Sequence, residues 1–209
     1  MVSIYRRLYS RFGPQGWWPA KTPFEVIIGA ILTQNTSWLN VEKAIRNLRK
    51  SRLLTPSRLY GLTTGYLGSL IKPAGYYNVK AGRLKEFLGF LFKNYGGSLR
   101  RMSGIDTAAL RSQLLSVKGI GPETADSILL YALDRPVFVV DAYTRRVLLR
   151  HRLIEEGATY DEIQGIFLKN LKPGLRLFNE YHALLVRLGK EFCLKSKPRC
   201  KSCPLGAIL

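Results

Sequence analysis

The chain has 209 residues, enough for one domain or two small ones sharing a core. Its 33 Lys and Arg against 14 Asp and Glu give a formal charge of +19 at pH 7, far beyond what solubility requires, while 46% hydrophobic residues exclude a disordered basic tail. The apolar stretches are too short to cross a bilayer, and Met1 to Gly13 mixes arginines with aromatic residues where a signal peptide would be uniformly apolar, so the expectation is a soluble cytoplasmic protein with a polyanionic partner and no membrane.

In chain order, Thr22-Pro23-Phe24-Glu25 opens the first predicted helix: Thr caps, Pro fits the first helical position, and Glu faces the positive helix end. That helix runs to about Leu32. Apolar residues at Leu39, Val41, Ala44, Ile45 and Leu48 predict a second helix ending near Arg49-Lys50. Thr55-Pro56-Ser57 and Thr64-Gly65 punctuate short elements before Leu67 to Ile71. Lys80 to Asn94 reads as an amphipathic helix stopped by Gly96-Gly97. Period-two patterns are almost absent and only Val137 to Val140 looks extended, so the class is all-α.

The stretch Leu114 to Asp126 carries the most information. A helix with Leu110, Leu114 and Leu115 meets the turn Lys118-Gly119-Ile120-Gly121, and a second helix begins at Pro122 with Ala125, Ile128, Leu129 and Ala132 facing inward. Gly-Ile-Gly permits positive φ and leaves amides pointing outward beside a helix N-terminus, which suits a phosphate oxygen. Ile120 can plug the hairpin. An ordinary αα-hairpin would use the same glycines for its tight turn; Lys118 and the net charge favour DNA.

About twenty residues on, the apolar run Pro136 to Val140 ends at Asp141, a natural helix cap. A carboxylate at the end of a buried run and at a helix start is fixed and partly desolvated, as catalysis requires, although a plain cap reads the same way. Arg145 and Arg146 in the first helical turns oppose the helix dipole and make sense where phosphates approach.

Taken together these segments resemble the helix-hairpin-helix (HhH-GPD) DNA glycosylases related to endonuclease III, over nearly the whole chain. Thr22 to Glu25 with Leu32-Thr33-Gln34-Asn35-Thr36 is similar to the family's early helix and duplex-entering loop, Gly75 to Ala81 to its second wedging loop, Lys118 to Ala125 to its hairpin, and Val139-Val140-Asp141 to the segment bearing its aspartate. The resemblance implies a six-helix barrel over 23–134 with the hairpin at about 109–131, a terminal domain from 1–22 plus 135–209, and an active cleft between them. It also implies that double-stranded DNA with damaged bases is the partner, near the nucleoid, and that Gln34 fills the space of a flipped base while Tyr76 wedges from the opposite strand. Lys118, Gly119, Gly121, Thr124 and Arg145 would bind DNA. Nothing points to an oligomer.

Endonuclease-type members carry a lysine two residues after the second hairpin glycine, and its amine forms a Schiff base with the sugar. This sequence has Glu123 there, and a carboxylate cannot form an imine. The expectation is a monofunctional glycosylase in which Asp141 stabilises the cationic sugar and orients water. Trp17 and Trp18 precede the first barrel helix and Trp38 follows the Gln34 loop; with Glu123 and Lys190 they are the candidate base pocket. Indole faces attract cationic alkylated purines, and the combination resembles the 3-methyladenine DNA glycosylase III branch. Core packing is the plain alternative for the tryptophans, as it is for Tyr76-Tyr77.

The cysteines Cys193, Cys200 and Cys203 follow the spacing of the family's iron–sulfur loop, Cys-x6-Cys-x2-Cys-x5-Cys, over 193–209, but the fourth position is Leu209. A [4Fe-4S] cluster normally takes four thiolates, so a cluster on three, a zinc site and a degenerate loop of thiols all stay open. Two other functions share these features: a lyase or mismatched- or oxidised-base glycosylase on the same fold, and a silent binder of DNA structure that uses the hairpin alone.

Overall fold

The structure is a computed structural model that describes residues 1–16 and 20–206. Twelve α-helices follow one another among the described residues: α1 (Val2–Phe12), α2 (Pro23–Thr33), α3 (Trp38–Lys50), α4 (Pro56–Tyr60), α5 (Thr64–Leu70), α6 (Tyr77–Tyr95), α7 (Leu99–Met102), α8 (Thr107–Leu115), α9 (Pro122–Ser127), α10 (Ala142–Arg150), α11 (Tyr160–Asn170) and α12 (Leu175–Glu191). No strand occurs among them, and no helix is long and apolar enough to cross a membrane. The chain divides into two compact units, Ala20–Leu133 and Met1–Pro19 with Asp134–Leu209.

In the Ala20–Leu133 unit, α2 is the central helix, with every residue from Phe24 to Leu32 buried. The Thr22 hydroxyl accepts the Glu25 amide at 3.2 Å, as its sequence predicts. Glu25 itself is buried and meets Arg49 of α3 at 2.5 Å, which offsets the cost of a desolvated carboxylate. α3, α6 and α9 pack around α2. α6 begins three residues before the predicted start, and Gly96 in the left-handed region closes it with its amide on Phe92 O.

α8 and α9 form the predicted hairpin, and Ile120 is buried in its turn. Only the first glycine needs its special freedom: Gly119 has φ 87, whereas Gly121 is extended at φ −95. Arg111 of α8 grips the fully buried Asp126 of α9 through two bonds, 2.7 and 3.2 Å, tying the arms together. Past Ser127 the helix widens to π geometry over Ile128–Ala132, where all but one of the residues are buried. Of the three leucines of α8, Leu110 and Leu114 are buried and Leu115 is exposed at 36%.

The other unit has an aromatic core. Phe138 stacks on Phe167 at 3.7 Å and meets Phe178 and Tyr181 edge-on. α1 packs on α12, with Tyr5 edge-on to Tyr181. The extended segment at 137–140 forms no sheet because side chains of α11 take its backbone groups: Gln164 donates to Phe138 O at 2.6 Å, and the Tyr160 hydroxyl accepts the Val140 amide at 3.2 Å.

Candidate nucleic-acid interface and catalytic carboxylate

Three loops meet in the Ala20–Leu133 unit. Gln34, at the C-cap of α2, donates from Nε2 to Gly119 O at 3.0 Å and to Thr124 Oγ1 at 2.9 Å, and its Oε1 accepts from Arg83 of α6. The Thr36 hydroxyl donates to Ala74 O at 2.7 Å, linking the Gln34 loop to the one bearing Tyr76. Lys80, one turn before Arg83 on α6, is buried and its ammonium donates to Leu32 O (2.9 Å) and Ala74 O (2.7 Å). Burial pushes the Lys80 amine down from its ordinary value, and the neighbouring Arg83 adds to this.

Both outer loops hold a non-glycine residue in the left-handed region, Asn35 at φ 54 and Tyr76 at φ 45, and Tyr76 is 75% exposed. Local strain of this kind concentrates where a loop is shaped for a ligand. Gln34, Tyr76, Gly119 and Thr124 are thus tied into one surface, beside exposed Lys118 and Gly121. Thr124 is buried, and its hydroxyl accepts from Gln34.

Glu123 is exposed in the first turn of α9. Trp38 opens α3, half-buried, and donates to Glu42 Oε1 on its own helix at 2.8 Å. Trp17, Trp18 and Leu209 lie outside the described residues.

In the second unit, Asp141 caps α10: its Oδ1 accepts the Thr144 amide at 2.7 Å. Its other oxygen, Oδ2, lies 3.6 Å from His182 Nε2 of α12, with side-chain exposures of 12% for the Asp and 6% for the His. Burial pushes the Asp141 carboxyl up, but the His182 side chain and the Thr144 amide and hydroxyl outweigh it and hold the group below its ordinary value. The carboxylate is therefore charged at neutral pH although largely shut off from water. Arg145 follows on the same helix, half-buried, and Lys190 lies in the last turn of α12, exposed.

The cysteine loop is held by arginines of α10. Arg146 donates to Cys193 O (2.7 Å) and Gly189 O (3.0 Å), and Arg150 to Leu194 O (2.5 Å) and to Cys193 Sγ (3.3 Å). Burial raises the Cys203 thiol, with Cys193 and Cys200 contributing. No group of three or more His, Cys, Asp or Glu among the described residues is arranged to hold a metal ion. Three sulfurs, one already turned to a guanidinium, do not fit a four-thiolate cluster.

Neither Lys80, Arg83 nor His182 stood out in the sequence as functional. Lys80 could have: it shares the 80, 84, 87, 88, 91 face of α6 with Leu84, Phe87, Leu88 and Leu91, all buried. His182 sits within the equally buried run from Tyr181 to Val186.

The HhH-GPD superfamily of base excision DNA repair proteins matches residues 28–173. A Methanocaldococcus jannaschii protein named as a DNA repair glycosylase is 52% identical over 98% of this chain and 93% of its own length. Thermotoga maritima endonuclease III is 30% identical over 87% of this chain and 79% of its own. Among solved structures, Helicobacter pylori 3-methyladenine DNA glycosylase bound to 1,N6-ethenoadenine superposes with a TM-score of 0.77 at 29% identity, covering 90% of this chain and 96% of that one. An endonuclease III–DNA complex reaches 0.83 at 21% identity, a likeness of fold that covers 98% of this chain and 91% of that one. The chain belongs to the HhH-GPD superfamily of base excision DNA repair proteins, in its endonuclease III-like group.

Proposed function

We propose that this protein is a monofunctional DNA glycosylase that hydrolyses the N-glycosidic bond of damaged bases, alkylated purines such as 3-methyladenine first among them, in double-stranded DNA. The observation that carries this reading is Asp141: a largely buried carboxylate, kept charged by His182 and Thr144 at a helix start, in a chain with Glu123 where the lyase members have their lysine. The division of the chain supports taking 23–134 as the barrel and the remainder as the terminal domain.

In this mechanism the α8–α9 turn holds the backbone through amides at the N-terminus of α9, and Gln34 and Tyr76 replace the flipped base, whose unstacking costs a few kcal/mol. As the base departs with the bonding electron pair, positive charge grows on the sugar, and the Asp141 carboxylate lowers its energy. A water oxygen then bonds to C1′ while its proton is drawn off toward the carboxylate. The product is an abasic site with the backbone uncut. A labile glycosidic bond, as in a cationic purine nucleoside, needs little more than this, which together with the 3-methyladenine glycosylase likeness supports alkylated purines.

The test is base release from alkylated duplex DNA, followed by chromatography, with Asp141→Asn as control. Release of 3-methyladenine by the parent protein only, with strand breaks appearing only after alkali, is the expected result. Release of a different base from a panel of mismatched and oxidised sites would overturn the substrate, strand cleavage without alkali the monofunctional mechanism, and turnover by Asp141→Asn the assignment of the carboxylate.

A further inference from the structure

His182 is a polar side chain spent where an apolar one would pack as well. It lies in the buried run of α12 among Tyr181, Ala183, Leu184 and Leu185, only 5% exposed, and burying an imidazole there is costly unless a partner rewards it. The group it meets is Asp141. Asp141 commits Oδ1 to the Thr144 amide and leaves Oδ2 facing His182 Nε2 across 3.6 Å. That distance is too long for a formed hydrogen bond and short enough to become one with a small shift, a common state for catalytic pairs before substrate arrives.

We propose that His182 is a positioning residue for Asp141, holding the carboxylate in place and in its charged state as positive charge develops on the sugar. The inference rests on Asp141 being the catalytic carboxylate and adds a second residue to it. His182 acts through Asp141.

Several charged and titratable groups on the same and neighbouring elements have partners elsewhere. On α12, Glu180 accepts the Gln15 amide, Tyr181 donates to Met1 O and Arg187 to Phe12 O. On α10, Arg146 is spent on Cys193 O and Gly189 O. The Tyr160 hydroxyl of α11 serves the Val140 amide, and Tyr5 of α1 packs on Tyr181. His182 and Thr144 are the groups that act on the carboxylate, and burial opposes them. Removing His182 therefore takes away one of the two groups that offset burial, and the Asp141 proton is held to higher pH.

The experiment is the pH profile of single-turnover base release for the parent, His182→Phe and His182→Gln, with melting curves and duplex affinity measured alongside. For the parent, Asp141 causes no fall in rate between about pH 8 and pH 5, because a carboxyl below its ordinary value is charged throughout. In His182→Phe the acid limb moves up, so the rate falls below its own plateau as the pH is lowered toward 5 while the parent's does not, with duplex affinity little changed. His182→Gln, which keeps an N–H donor, moves the profile back toward the parent's. A rate that falls equally at every pH, or a His182→Phe profile that overlays the parent, overturns the proposal. If His182→Phe loses its cooperative melt, His182→Ala carries the same comparison with the same criteria. Should Asp141→Asn retain turnover, the assignment of the carboxylate has failed, a result separate from any shift in the His182 profiles.

Discussion

Gly119 does two things that no other residue can do at its position. Its φ of 87 lies where a side chain is strained, and a Cβ there would stand 2.5 Å from Arg83 Cγ, the side chain that holds Gln34. Gly119→Ala is expected to cost about 2 kcal/mol or more in urea denaturation, and to weaken duplex binding because Arg83, Gln34 and the hairpin turn are displaced together. Gly121→Ala, extended and with open space around it, serves as the control and stays near parent stability. The two glycines look alike in the sequence, and the difference comes from Arg83, 36 positions away from Gly119. Asp141 was legible because its role as a cap is local, readable from the apolar run before it and the helix after it. His182 was not, since its partner lies 41 positions earlier and nothing in the spacing of α12 reveals what an inward imidazole will meet.

Among the elements, α10 and α12 depend on a close approach at Gly189. The Tyr143 ring lies against it so tightly that a Cβ would overlap the ring, and the Arg146 guanidinium covers that ring at 4.9 Å. Gly189→Ala is expected to destabilise the unit by about 1–3 kcal/mol through overpacking, measured by thermal or urea denaturation. The helices with local start and stop signals, α2 opening at Thr22-Pro23, α3 ending at Lys50 and α6 closed by Gly96, were legible from the sequence. α1 was not, because its alternation of Arg with aromatic residues declares an exposed amphipathic face only once α12 supplies the other surface. The π geometry of Ile128–Ala132 was equally hidden, since those residues pack on nearly all sides and leave no periodic stripe to read.

On the scale of the whole molecule, the charge of +19 is the property most exposed to experiment. A protein that neutralises six or more phosphates loses about a thousandfold in affinity between 50 and 200 mM salt. Fluorescence anisotropy on undamaged duplex should show a log–log slope of about −5 or steeper, and a nearly flat dependence would exclude backbone contacts as the source of affinity. Within the Ala20–Leu133 unit, the surface expected to meet DNA is anchored on α6. Lys80 holds the end of α2 and the loop at Ala74, Arg83 holds Gln34 and covers Gly119, and both stand on neighbouring turns of α6. Three segments far apart in the chain thus share one cooperative opening unit: a fluctuation that frees one must strain the bonds of the others, so their amides exchange with solvent on a common clock set by α6.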